Sequence, residues 1–286
     1  MNHRNVISNK SLNKYRSKTY RTSLSRRLHS KKDAVHFVNE RGFIFFWPID
    51  DVELPSLWCA AAGDRPVPNN HDDPGHITWR WKDDLLGKNK WYYAKVLRRK
   101  STIISLKMIP NFFALSNTIH QDVEEVRFLF RRGVISAEEK LIFEFLTNKG
   151  QLDTVTLREM LSRSFNGNNS RFNRALELLQ RDFRIVPCGI SNNGRWNYSF
   201  IYETMQKAFP EEIEDSKRIN QITARLAIMK SYFRSVGAAS QREIKKIFHW
   251  EENEIENVLQ DYTTSGEILK STLENGEHIY TIQELL

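Results

Sequence analysis

The sequence predicts an α+β, mainly helical protein built of tandem winged-helix (helix-turn-helix) domains, and three observations predict it. Between residues 134 and 286 a series of three helices followed by a two-stranded hairpin occurs twice, an internal repeat. Ser136-Ala-Glu-Glu139 and Ser240-Gln-Arg-Glu243 open helices in the two copies with the same capping-box chemistry, a hydroxyl and a carboxylate satisfying each other's backbone N–H groups. Asn193-Gly194 and Asn275-Gly276 mark the hairpin turns, where positive φ is required. The 286 residues, 40% hydrophobic and 12% aromatic, suffice for two or three small domains with cores of their own.

Taken in order, residues 1–32 hold ten Lys or Arg and no acid, and read as a disordered basic arm. Helical periodicity begins at Asp33 and stops at Gly42, a C′ glycine. An apolar stretch, Phe43–Ile49, and a Pro/Gly/Asp-rich loop, Gly63–Gly75, come next. Five tryptophans, Trp47, Trp58, Trp79, Trp81 and Trp91, then mark residues 33–133 as an N-terminal winged-helix-like domain with a Trp-rich segment. Residues 134–210 form the second winged helix. Its first helix carries Leu141, Ile142, Phe145 and Leu146 on one face and closes at Gly150. A short helix at about 154–163 has Thr156 and Glu159 as a candidate capping box, and a polar turn at 166–169 leads to a third helix, Ser170–Asp182. There Phe172, Ala175, Leu176 and Leu179 stand at i, i+3, i+4 and i+7. The strands Phe183–Ile190 and Arg195–Tyr202 follow, with Trp196, Tyr198 and Phe200 alternating. Residues 211–286 repeat the pattern, with helices at about 221–235, 240–248 and 252–265 and a hairpin turning at Glu274–Glu277.

The formal charge of +8 is a sum of unlike blocks. The arm contributes +10 and the remainder −2; within that remainder, residues 33–79 carry −6, 80–107 carry +7 and 251–286 carry −8. Positive charge in blocks points to a polyanionic partner, although a basic tail also serves as a solvated arm. In a winged helix the third helix is the one that enters a major groove. In the first copy it bears Arg171, Asn173, Arg174, Gln180 and Arg181, with Arg184 just beyond and Arg195 in the wing, residue types that bond phosphates and base edges. In the second copy residues 251–267 hold six acids and no base, which a phosphate backbone would repel. The first copy is therefore the DNA-binding candidate and the second a structural or protein-contact module. Lys82, Lys95, Arg98, Arg99 and Lys100 lie in the basic block 80–107, interleaved with Trp79, Trp81, Trp91, Tyr92 and Tyr93. Such a block suits a nucleic-acid groove, and equally a packed core with a solvated rim.

His71-Asp72-Asp73-Pro-Gly-His76 is the one constellation resembling catalysis. Asp72, Asp73 and His76 could activate water or stabilise a developing cation, and an Asx-type turn around Pro74-Gly75 explains the same letters. Two distant cysteines without a CxxC exclude a disulfide framework and a Cys-based zinc finger, and make a cytoplasmic chain the expectation. The arm's composition also fits a mitochondrial transit peptide. No Walker loop, GxGxxG, HExxH or GxSxG is present. No cofactor or metal is expected. The longest apolar run is far too short to span a membrane, and with no dimer seam a monomer is favoured.

The segment Arg41-Gly-Phe-Ile-Phe-Phe-Trp-Pro-Ile49, the paired winged helices, Leu179-Gln-Arg-Asp-Phe-Arg-Ile-Val186, and Val236-Gly-Ala-Ala-Ser240 followed by Ser265-Gly-Glu-Ile-Leu269 resemble the AlkZ/YcaQ-like winged-helix family over roughly residues 33–286. Its characterised members are DNA glycosylases that excise alkylated or cross-linked bases. The likeness is strongest to a short AlkZ-related branch without the C-terminal β-barrel. The glycosylases place a Gln-x-Gln or Gln-x-Asp catalytic pair just after the glycine ending an early helix; here those positions are Phe45 and Trp47. Neither polarises water. Gln151-Leu-Asp153 has the right letters but opens a helix in the next domain, where Asp153 serves as an N-cap. The expectation is a protein that binds duplex DNA, intact or damaged, without the family's catalytic pair. An active glycosylase using Asp72 or Asp73 is the alternative, and a transcription regulator a third reading.

Overall fold

The computed structural model describes residues 6–70, 72–116, 118, 121–164 and 169–286. It is α+β and mainly helical, with small sheets. The chain divides into two compact units, Met1–Trp81 with Gln221–Leu286, and Lys82–Asn220. This differs from the linear division read from the sequence. The stretch 33–133 is cut between Trp81 and Lys82, and the basic arm shares a unit with the last helices.

In the first unit the described part of the arm, residues 6–32, is folded, a correction to its reading as disordered. Val6–Ile7 adds a parallel strand to Ile268–Leu273, and Ser8 caps an Asn9–Thr19 helix by accepting from the Ser11 N–H. Ile7 and Leu12 are buried with Ala238 and Ile279, but this apolar contact is small. The larger reason is polar. The Gln221–Val236 helix ends with last-turn carbonyls that have no intrahelical donor. The arm supplies donors: Tyr15 Oη to the Arg234 carbonyl (2.9 Å), Thr19 Oγ1 to Ser235 (2.7 Å) and Arg16 Nε to Val236 (3.1 Å). Arg16 Nη2 reaches the Ala238 carbonyl as well, at 3.1 Å. Cations at a helix C-terminus also complement its dipole. Composition cannot reveal such a docking, because an Arg that caps a distant helix and a solvated one are the same letter. Replacing Arg16 by Met and Thr19 by Val together is expected to cost about 4 kcal/mol and lower the melting midpoint by roughly 10 °C. Circular dichroism melts check this, and an unchanged midpoint would return the arm to solvent.

The rest of this unit follows local chemistry. Ser30 caps the Lys31–Arg41 helix, which begins two residues before the periodicity suggested and ends at Gly42 with φ 80°. The Phe43–Phe45 strand and the Leu57–Ala62 helix are buried, and the loop between them is pinned at its neck by Phe45 N–H to the Pro55 carbonyl (2.9 Å) and Trp58 N–H to Phe46 (3.1 Å). After Gln221–Val236 come the strand Ala238–Ala239, the capping-box helix Gln241–Phe248, the helix Glu252–Thr264 and the hairpin Ile268–Leu273 with His278–Ile282.

The second unit opens with a Tyr92–Lys95 and Ser101–Ile104 hairpin. Its helical part runs Val123–Arg131, Ala137–Lys149, Thr154–Ser164 and Asn169–Arg181, then a hairpin of Ile185–Ser191 and Ser199–Thr204 to which Leu152–Asp153 adds a third strand. One cluster containing Ile142, Phe143, Leu146, Leu157, Phe172 and Leu179 fills the space between helices and sheet. The Thr154–Ser164 helix is capped by Asp153, whose Oδ1 accepts from the Val155 and Thr156 N–H groups, rather than by the Thr156/Glu159 box. Among the described residues no helix is long and apolar enough to cross a membrane.

Candidate nucleic-acid interface

The Asn169–Arg181 helix buries Phe172, Ala175, Leu176 and Leu179, and this stripe fixes which residues face outward. Arg171, Asn173 and Arg174 are exposed. Arg171 is 66% exposed, its guanidinium 3.9 Å from Glu138, a separation at which an exposed pair contributes little. Three other residues assigned to this face by sequence are elsewhere. Gln180 is buried, its Oε1 accepting from the Lys95 N–H and its Nε2 donating to the Leu176 carbonyl. Arg184 is buried in an ion pair with Glu125 at 3.0 Å. Arg181 is exposed but forks onto its neighbour Asp182 at 2.6 and 2.8 Å. Gln180 still lies within the helix, one turn after Leu176 and on its buried side, whereas Arg184 lies past the helix end.

In the turn of the Ile185–Ser191 and Ser199–Thr204 hairpin, Gly194 has φ 96° and Trp196 φ 67°, so the chain turns through Arg195–Asn197 before the strand starts at Ser199. Trp196 is therefore 86% exposed at the turn instead of alternating on a strand, a correction to the sequence reading. The backbone of Arg195 lies in this turn; its side chain falls outside the described residues.

The basic block 80–107 resolves into core and rim. Trp81, Trp91, Tyr92 and Tyr93 are buried, and only Trp79 is exposed. Lys82, at 1% exposure, is not a phosphate ligand: Nζ lies 2.8 Å from Asp83 Oδ1 and donates to Tyr198 Oη at 2.9 Å, and Tyr198 Oη donates to the same Asp83 oxygen. The ammonium stands 4.6 Å over the Phe200 ring. Burial pushes its pKa below the ordinary lysine value, with Asp83 opposing. Lys95 pairs with Glu177 of the Asn169–Arg181 helix at 2.5 Å. Arg98 and Arg99 take positive φ (52° and 56°) in the turn of the hairpin, where Arg99 and Lys100 are exposed. Sequence reasoning missed a second basic surface in the first unit. Lys18, Arg21, Arg26, Arg27, Arg41 and Arg234 line a groove of about 800 Å³, with Glu40 bonding Arg21 and Arg41 and with Asp33, Glu267 and Glu284 also in the lining. The ten bases of the arm were its signal.

The catalytic constellation does not converge. Asp73 binds Arg65 through both oxygens (3.0 and 2.5 Å) and accepts from the Gly75 N–H at 2.7 Å. The Arg65 guanidinium holds its carboxyl below the usual carboxylate range. Asp73 is a loop staple with both oxygens bonded by Arg65, which runs against its reading as a base. Asp72 is exposed, its N–H donating to Asn70 Oδ1, and His71 lies outside the described residues. His76 Nε2 is 3.2 Å from the Pro68 carbonyl, and its ring packs 5.2 Å from Trp58 and 6.0 Å from Trp47. Phe45 is fully buried and Trp47 is packed against Phe46, Trp58 and Trp79, so the two residues at which the resemblance places the family's catalytic pair serve packing. Both cysteines are free, and burial pushes the Cys59 and Cys188 thiols up, away from nucleophilic thiolate.

The comparisons agree with this architecture. The solved structure of the Streptomyces sahachiroi DNA glycosylase AlkZ matches with a TM-score of 0.59 at 11% sequence identity, covering 98% of this chain and 71% of that one, a likeness of fold. No curated protein matches the chain. The model of the family described as AlkZ related matches residues 28–249, the greater part of the sequence, and the chain belongs to that family, related to DNA-repair glycosylases.

Proposed function

We propose that this protein binds duplex DNA through the Asn169–Arg181 helix and the Ile185–Thr204 hairpin, which we read as the recognition helix and wing of a winged helix, without the catalytic pair of the glycosylases. One observation carries the reading: the helix is sealed on its apolar stripe and presents Arg171, Asn173 and Arg174 on the opposite face. These are donors suited to phosphates and base edges. Exposed Arg99 and Lys100 add positive charge in the same unit, and the Trp196 ring offers a surface for stacking. The Glu252–Thr264 helix supports the contrast. Its carboxylates already meet Lys245 and Arg225 of neighbouring helices, which fits a structural role.

The test is anisotropy of a labelled duplex, intact or methylated, titrated with the protein from 50 to 300 mM salt. Micromolar or tighter binding is expected at low salt, with log K falling linearly in log salt as phosphate counterions are released. No binding to either duplex at the lowest salt would overturn the reading.

A further inference from the structure

The second unit holds a cavity of about 220 Å³, room for roughly seven waters, and its lining divides by chemistry. Buried Leu86, Val186 and Phe209 make its walls apolar, and Gln151 and Lys207, which are exposed, mark its mouth. Gly87 in the lining has φ 65°, and a Cβ there would lie 2.4 Å from the Cys188 carbonyl, so glycine is what lets this wall approach the Ile185–Ser191 strand. Two lining residues carry buried polar atoms without a partner. Trp91 is 3% exposed, and among the described residues its Nε1–H meets no acceptor. Glu203 is 9% exposed; its Oε2 accepts from Gln151 Nε2 at 2.8 Å, while Oε1 meets no donor among the described residues. The two atoms are of opposite character, yet neither satisfies the other. Both are costly to leave bare, the carboxylate more so because it is charged. Glu203 and Lys207 are the charged residues of the lining, one of each sign, and Lys207 Nζ donates to the Thr147 carbonyl at 3.3 Å rather than to a carboxylate.

We propose that this cavity binds a small zwitterion, an α-amino acid with an apolar side chain. Its ammonium meets Glu203 Oε1, its carboxylate accepts from Trp91 Nε1 and pairs with Lys207, and its side chain lies against Leu86, Val186 and Phe209. The class of ligand follows from charge. A neutral amide heterocycle satisfies the indole but leaves the carboxylate without a cation. A simple organic cation satisfies Glu203 but brings no negative charge to the indole N–H and Lys207. A molecule carrying both signs meets all three, through charge-assisted hydrogen bonds. The size follows from volume: about 220 Å³ lies below the roughly 300–1,000 Å³ of sites for larger ligands and suits an aliphatic amino acid rather than a nucleotide. Binding is noncovalent. Burial and the nearby Glu203 charge push the Cys188 thiol up to about 12, so it is uncharged at neutral pH and no nucleophile. The site is independent of the DNA-binding reading above.

The experiment is isothermal titration calorimetry of the full chain with L-valine, L-leucine and L-methionine, and with N-acetyl-L-leucine and L-leucinamide, the melting midpoint being followed in parallel. At least one of the three amino acids is expected to bind one to one with a Kd at or below about 1 mM and to raise the midpoint. N-acetyl-L-leucine, which has no ammonium, and L-leucinamide, which has no carboxylate, should each bind at least about tenfold more weakly than L-leucine. Glu203→Gln, which keeps an oxygen for the bond from Gln151, should weaken amino-acid binding at least about tenfold and leave the ligand-free midpoint unchanged or higher, because it removes a buried charge. A carboxylate serving structure alone would instead lower that midpoint and leave the affinity as it was. If Glu203→Gln does not fold, the comparison of L-leucine with its N-acetyl derivative on the wild type decides. No binding of any of the three amino acids at about 10 mM would overturn the site and leave ordered water as its occupant. N-acetyl-L-leucine binding as tightly as L-leucine would overturn the role of Glu203, and L-leucinamide binding as tightly would overturn that of Trp91 and Lys207.

Discussion

Replacing Arg171 and Arg174 together by Glu is expected to weaken duplex binding roughly 60-fold or more at 0.1 M salt and to flatten the plot of log K against log salt by about 1.8. The magnitude follows from counterion release: each phosphate contact contributes about 0.9 to the slope and so about eightfold at that salt concentration. Both side chains are exposed on the face opposite the apolar stripe, so the fold should tolerate the change, and the melting midpoint is the control. The equivalent substitution of exposed acids in the Glu252–Thr264 helix by Lys should not produce a matching loss. If the double Glu variant binds as tightly as the wild type, the helix does not meet DNA.

Replacing Lys82 by Ala should destabilise the protein by about 3–5 kcal/mol, roughly a 10 °C fall in the melting midpoint, while leaving DNA affinity unchanged at temperatures where the variant is folded. The cause is the Lys82–Asp83–Tyr198 ring of contacts. Removing the cation leaves Asp83, whose side chain is only 12% exposed, without its ion-pair partner, and empties the space over the Phe200 ring. Calorimetry measures the first effect and anisotropy the second. A loss of affinity without loss of stability would mean that Lys82 reaches phosphate after all. The pH dependence has a defined sign. The folded pKa of Lys82 is depressed, so the native state gives up its proton before the unfolded chain does. Its contribution to stability therefore rises with pH between that lowered value and the ordinary value near 10.4.

Helices and hairpins were largely legible in the sequence because the interactions that set them are local. Ser136 and Glu139, or Ser240 and Glu243, are three residues apart and satisfy each other in the structure as the letters imply. The Phe172-to-Leu179 stripe and the turn at Asn275-Gly276 are equally short-range. Where local reading failed, an unforeseen turn or a non-local partner was the reason. Alternation places Trp196 on a strand beginning at Arg195, yet the strand starts four residues later, at Ser199, and the turn carries the ring outward.

The destination of each charge is what only tertiary structure decided. Lys82 and Arg171 are both bases near aromatic or apolar neighbours in sequence, yet one is sealed against a tyrosine 116 residues away and the other stands in solvent. Arg16 belongs to an acid-free stretch that reads as solvated until the exposed carbonyls of a helix 220 residues later receive it. By itself the sequence determined the family, the helical α+β class, the hairpins and the block pattern of charge. Those rest on periodicity, capping and turn chemistry that operate within a few residues. Which bases stand on the surface, and which are sealed in buried ion pairs, depends on pairings across the whole chain. No local pattern encodes them, because an ion pair costs or contributes according to burial and partner, and the folded chain alone supplies both.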